Sequence, residues 1–323
     1  MSTTMHTDYV LSEEMQSLVY WSGVYSPADA DMDSIRAAYD AMCKHYTLPR
    51  DGKIEIHDFT IEDAKPAVNV RLYTPKNQQP PQNGWPCVLY FHGGGWVVGG
   101  LDSHEFMLSY ICQDLNIAVM SVDYRLAPEH KFPAAYDDCL NAYMGLRDHA
   151  KEWKIDVENI IISGDSAGGN LAAAVAVNLQ KTGHQAKGLA VIYPLLTTKF
   201  DLPAYEIHAK APLLSREDCD YYLREYAPDI STWEDTRLAP LLAKDFSNMP
   251  ESFIAVAEYD PLSDDGKIFS EKLTQAGIEN RLHVAKGVLH SGLRLMRDCP
   301  EVQQMYQELI KAIQQMINRT STT

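Results

Sequence analysis

The stretch "IIISGDSAGG", Ile160–Gly169, decides how the rest of the chain is read. A β-branched run ends at Ser163, and a small-residue segment, "GGNLAAAVAV", starts at Gly168 with helical character. Between them lies Gly164-Asp165-Ser166-Ala167-Gly168, a G-x-S-x-G pattern in a strand–turn–helix setting. Such a turn is tight enough to push the Ser166 hydroxyl outward, and only small residues two before and two after avoid a clash. The following helix start supplies amides and a positive dipole end for developing negative charge.

Outward from this turn, short Val- and Ile-rich runs recur. Strands are expected at Val68–Tyr73, Cys87–Phe91, Ile117–Val122, Ile160–Ser163, Leu189–Tyr193, Phe253–Ala257 and Arg281–Val284. Helices are expected at His104–Asp114, Ala134–Ala150, Gly168–Lys181, Asp264–Ala276 and Val302–Met316. Near-continuous apolar strands alternating with helices indicate an α/β fold, with a mostly parallel central sheet flanked by helices on both faces. Two regions break the alternation. Residues 1–50 carry helix-like patterning at Ser12–Ser22 and Ala28–His45, and residues 199–236 contain the helical run "SREDCDYYLREYA" from Ser215. That run opens on a capping box, with Asp218 in place of the usual Glu or Gln. The expected organisation is a catalytic core at 51–198 and 237–323. Residues 1–50 and the insertion 199–236 would form a helical cap, or else a surface elaboration.

A serine hydroxyl needs a base to take its proton, and the base must be held in one tautomer. With this type of turn the partners follow in the order serine, acid, histidine. Downstream of Ser166 stand His184, His208, His283 and His290. His184 lies in a polar turn, His208 in the insertion and His283 inside an expected strand. His290 falls in "AKGVLHSG", a loop just past a strand, where such sheets place chemistry. It is the candidate base. "FIAVAEYDPLSDDG" puts Asp260 at the matching position one unit earlier, as the acid, with Asp264 and Asp265 as N-cap and first turn of the next helix. Asp165 is assigned a structural role beside the turn.

A second glycine cluster, "VLYFHGGGWVVGG" at Val88–Gly100, would leave backbone amides bare for an anion. It is not a dinucleotide fingerprint, because Val98 stands where the third glycine should be; nor is it a phosphate loop, because Leu101-Asp102 follow Gly99-Gly100. The anion is then one that exists only during a reaction.

"HGGGW" at His92–Trp96, "GDSAGGN" at Gly164–Asn170, "EYDPLSDDG" at Glu258–Gly266, "LH" at Leu289–His290 and "DYRLAPEHKFPAAYDD" at Asp123–Asp138 together resemble the hormone-sensitive-lipase family of carboxylesterases, its bacterial acetyl esterases above all. The resemblance runs from about Val68 onward. It implies the α/β-hydrolase fold, a Ser166–His290–Asp260 triad, and an oxyanion hole of the Gly94, Gly95 and Ala167 amides, with Gly93 shaping the turn and His92 holding the loop. One departure is Ser291-Gly292-Leu293, where the family often has Gly then Phe after the histidine. Trp96 is read as a pocket wall or, equally, as a core aromatic. Asp165, Tyr193, Leu214 and Ser291 are further candidates for the pocket. The expected activity is hydrolysis of small, short-chain acyl esters, with no metal or organic cofactor. An amide or N-acyl hydrolase, of deacetylase or formamidase type, is the alternative; a non-catalytic receptor on this fold would have lost the histidine.

The bulk properties agree. The 323 residues can bury a large core, and a net charge of −16 disfavours nucleic acid and anionic membranes as partners. It also disfavours highly anionic substrates unless a local basic pocket overrides it. No secretory signal or membrane span is visible, and the six cysteines (Cys43, Cys87, Cys112, Cys139, Cys219, Cys299) are scattered, so a cytoplasmic protein with reduced thiols is expected. Asn318-Arg319-Thr320 reads as a chance glycosylation match, and either a monomer or a homodimer fits the sequence.

Overall fold

The computed structural model describes residues 9–29, 31–47 and 52–319. Two helices come first, α1 (Glu13–Val24) and α2 (Met32–Tyr46). The strands β1 (Ile54–Ile61), β2 (Val68–Pro75) and β3 (Trp85–Phe91) follow, then α3 (Glu105–Leu115), β4 (Ala118–Asp123), α4 (Ala134–Asp148), β5 (Ile155–Asp165), α5 (Ala167–Leu179) and β6 (Gly188–Ile192). After α6 (Pro203–Ile207) and α7 (Arg216–Tyr226) the alternation resumes with β7 (Glu251–Tyr259), α8 (Ser263–Gln275), β8 (Asn280–Leu289) and α9 (Pro300–Asn318). The strands form one sheet in the order β1-β2-β4-β3-β5-β6-β7-β8. The β1–β2 and β2–β4 pairs are antiparallel and the other five are parallel.

The apolar runs are explained by burial on both faces. Along β3, Cys87, Leu89 and Phe91 enter one core, and Val88 and Tyr90 the other. In β5, Ile160 and Ile162 face the first core and Ile161 the second. Successive side chains point to opposite faces, so a strand covered on both sides must be apolar throughout. Helices α4, α5 and α8 cover the first face; α3 and α9 cover the second, joined by Met15 and Leu18 of α1. All six cysteines are free and buried.

Three expectations need correction. β1 was not anticipated: it is an edge strand, half exposed and alternating, so it lacks the continuous apolar run used to find the others. β6 ends at Ile192, and Tyr193 lies beyond it at φ 35°. Asp264 is not the cap of α8, which begins at Ser263 with Leu262 in the cap position. Asp265 is completely buried: its Oδ2 accepts from the Leu196 and Thr197 amides and the Tyr205 hydroxyl, and burial pushes its carboxyl up to about 8. The 50/51 boundary and Thr320 of the glycosylation match lie outside the described residues.

Candidate active site

Ser166 occupies the turn between β5 and α5 with φ 54° and ψ −119°. A non-glycine residue rarely holds such angles, and here the surroundings enforce them. The Ser166 amide donates to Ile192 O at 2.9 Å, and its carbonyl accepts from the Asn170 amide at 2.9 Å. A Cβ on Gly168 would collide with the Phe91 and His92 carbonyls, so only glycine lets α5 start this close to β3.

Strand register supplies the other two groups. β7 and β8 run parallel with Tyr259 opposite Leu289. The next residue of each strand, Asp260 and His290, therefore leaves the sheet at the same height. His290 Nδ1 lies 2.7 Å from Asp260 Oδ2, and His290 Nε2 lies 2.9 Å from Ser166 Oγ. The Leu262 amide donates to the other carboxylate oxygen at 2.9 Å. A carboxylate can only accept, so Nδ1 carries the imidazole proton and Nε2 is left to accept from the serine hydroxyl. Asp260 is fully buried and His290 is 4% exposed, which keeps water from competing for these bonds. His184, His208 and His283 are elsewhere: His208 Nδ1 faces the Tyr9 hydroxyl at 3.4 Å, and His283 is inside β8.

The glycine loop faces Ser166 across the same cavity. Among the described residues, no acceptor is hydrogen-bonded to the amide of Gly94, Gly95 or Ala167. Gly94 holds φ 125°, and a Cβ there would strike the Val98 carbonyl. The loop is braced from behind. Asp165 Oδ1 accepts from the Gly93 amide at 2.8 Å and the Tyr90 hydroxyl at 2.7 Å, and lies 3.0 Å from His104 Nε2. Burial alone would raise this carboxyl; the adjoining His104 and Tyr90 outweigh it and hold Asp165 well below the usual carboxylate range. Tyr124 donates to the His92 carbonyl at 2.6 Å and stacks on the His92 ring. Burial, reinforced by His104, pushes the His92 imidazole down to about 4. It is a neutral brace.

A cavity of about 270 Å³ opens in front of Ser166 and His290, bordered by all three free amides. Trp96, Leu214 and Ser291 border it as well; Trp96 also stacks on Tyr226 with centroids 4.8 Å apart, so it is wall and core at once. Asp165 touches the cavity, but its carboxylate is engaged behind the loop. Tyr193 does not border it. Its amide is tied to Ala255 O, and the turn beyond β6 lays its ring against His290 at 4.7 Å, behind the imidazole. Sequence reasoning missed Tyr39 on α2, Tyr222 on α7 and Arg294 in the short 3-10 turn Gly292–Leu295. For Arg294 a signal existed, a cation inside the apolar run "GLRLM" just past His290. The helix residues gave none, because which face meets the cavity depends on docking.

A doubly covered, mostly parallel sheet with a serine–imidazole–carboxylate chain at its strand ends defines the α/β-hydrolase class. The comparisons agree: residues 88–294 match the family model described as "alpha/beta hydrolase fold". The chain belongs to this family, among its hormone-sensitive-lipase-like carboxylic ester hydrolases. It is 35% identical over 248 residues to an ethyl acetate hydrolase of Pseudomonas putida, covering 76% of this chain and 78% of that one. It is 37% identical over 227 residues to a carboxylesterase of Mycobacterium tuberculosis, covering 69% and 70%. Among solved structures, a bacterial heroin esterase superposes with a TM-score of 0.87 at 27% identity, covering 97% of this chain and all of that one (100%).

Proposed function

We propose that the protein hydrolyses short-chain acyl esters through a Ser166–His290–Asp260 triad and an acyl-enzyme. One observation carries this reading: Ser166 Oγ, 2.9 Å from His290 Nε2, faces three unengaged amides across a cavity of only about 270 Å³. That volume is below the usual range for sites that enclose a drug-sized ligand. Ser166 Oγ attacks the ester carbonyl while His290 Nε2 takes its proton, and buried Asp260 stabilises the imidazolium. The carbonyl oxygen, now negative, is met by the amides of Gly94, Gly95 and Ala167. His290 returns the proton to the departing alkoxide, leaving the acyl group on Ser166. Water then attacks with His290 as base again, releasing the acid and restoring the serine. The N-terminal helices and the 199–236 insertion act as the cap that bounds acyl length. Six free, buried cysteines fit a cytoplasmic setting.

The test is a p-nitrophenyl ester series from acetate to decanoate, run beside a matching anilide and the Ser166→Ala variant. Turnover should peak between acetate and hexanoate and be almost abolished in the variant. Undiminished turnover by Ser166→Ala would refute the mechanism, and preference for the anilide would move the protein to the amidases.

A further inference from the structure

The cavity wall holds a buried cation for which the hydrolytic mechanism has no use. Arg294 is 6% exposed and borders the cavity that contains Ser166 and His290. Among the described residues, no carboxylate lies within ion-pairing distance of its guanidinium. Its contacts are neutral: one terminal nitrogen donates to the Tyr39 hydroxyl at 3.0 Å and lies 3.7 Å from Cys43 Sγ. The other makes a long 3.4 Å contact with the Ser291 carbonyl, and Nε has no partner. Burial raises both the Tyr39 hydroxyl and the Cys43 thiol, so neither supplies negative charge. The Tyr39 ring, 5.4 Å from the guanidinium carbon, offers only its π face. Asp165 is near enough to feel this cation, but its carboxylate is bound to Gly93, Tyr90 and His104.

An arginine stays charged at any physiological pH, and burying an unpaired charge is costly. Arg294 borders two cavities: a second one lined by Glu13, Glu14 and Asp298, none of which pairs with it among the described residues, and the one that holds Ser166, from which the anion of a substrate can reach it. We propose that Arg294 is the anion-binding subsite of this cavity, and that the preferred substrates are esters bearing a carboxylate a few atoms from the scissile carbonyl. This rests on the esterase reading of the same site. A purely structural Arg294, holding α2 to the turn after His290, is the competing explanation. It would leave ester selectivity indifferent to charge.

The experiment uses the intact wild-type protein. Ethanol release from monoethyl succinate is compared with release from ethyl 4-methylpentanoate, a neutral ester of nearly the same shape. A second pair, 3-acetoxypropionate against 3-methylbutyl acetate, places the carboxylate on the alcohol side instead. In at least one pair kcat/KM should favour the carboxylate at least tenfold, and the pair that does so tells which side of the ester meets Arg294. In Arg294→Gln the ratio within that pair should fall on the order of 100-fold, the scale of a charge-assisted hydrogen-bonded pair, with partial recovery in Arg294→Lys. Ready hydrolysis of neutral esters with no preference in either pair would overturn the proposal while leaving the esterase reading intact. So would a preference that Arg294→Gln retains. Should no ester be cleaved at all, calorimetric titration of Ser166→Ala with monoethyl succinate and with ethyl 4-methylpentanoate decides the anion site alone. Binding of the neutral ester without tighter binding of the anion overturns it. Should Arg294→Gln fail to fold, the wild-type ratios still decide.

Discussion

Ser166 at φ 54° and Gly94 at φ 125° hold the two halves of the site in backbone states that most residues avoid. The serine is tolerated because hydrogen bonds at both its amide and its carbonyl fix the turn. Gly94 has no such latitude, since any side chain would meet the Val98 carbonyl, which is backbone and cannot swing aside. Gly94→Ala should therefore displace its own amide and lower kcat by roughly 100- to 1000-fold, the usual cost of one oxyanion donor. A variant with unchanged kcat would remove Gly94 from that role. His92 sets a second expectation. Its folded pKa of about 4 lies below the ordinary histidine value, so between about pH 6.5 and 4 the unfolded chain binds a proton that the native state refuses. Stability is complete above that window and is lost as pH falls through it, by about 3 kcal/mol. His92 Nδ1 lies 2.8 Å from the Gly93 carbonyl, a bond that the side-chain amide of His92→Asn can also donate, and in that variant the urea midpoint should fall less between pH 7 and 4.5. An identical pH slope would show that His92 is protonated in the fold.

At the scale of elements, α7 places Tyr222 over Gly95, so helix and amide loop are mechanically linked. The α7 start is held reciprocally: the Asp218 amide donates to Ser215 Oγ at 3.1 Å, and the Ser215 amide donates to Asp218 Oδ2 at 2.7 Å. Ser215→Ala should cost about 1 kcal/mol in urea unfolding and raise KM more than it lowers kcat. The reverse pattern would place α7 in the chemistry. From the other side, Arg36 of α2 donates to the Val97 and Ala127 carbonyls and pairs with Glu129, clamping the same loop. Arg36→Ala should loosen the loop and lower kcat/KM about tenfold; the half-exposed Glu129 contributes little to that loss, which comes from the two carbonyls left without their donor. Only part of this was legible in the letters. Apolar runs located the parallel strands, and Ser215 with Asp218 three residues on located the capping box, because local chemistry determines both. β1 escaped because an edge strand with one wet face has no continuous apolar run. Tyr193 was misjudged because one residue beyond a strand end a side chain can turn either way. Tyr39 and Tyr222 meet the cavity only through tertiary docking, which one sequence does not encode locally.

At the scale of the whole molecule, a net charge of −16 opposes the very substrates that Arg294 is proposed to receive. The two effects act over different distances and can be separated by salt. The global field acts across solvent and is screened over roughly 8 Å at physiological ionic strength, against 30 Å at 0.01 M. A contact between Arg294 and a carboxylate forms inside a cavity where the arginine is 6% exposed, so it is screened far less. For a sphere of roughly 25 Å radius, raising salt from 0.01 to 0.15 M relieves an approaching monoanion of about 0.8 kcal/mol of repulsion. The kcat/KM for monoethyl succinate should accordingly rise about fourfold over that range, while that for ethyl 4-methylpentanoate stays flat. A fall with salt would mean that the cation meeting the substrate is exposed at the surface rather than enclosed. Charge would then be read at the mouth of the cavity, before the ester reaches Ser166.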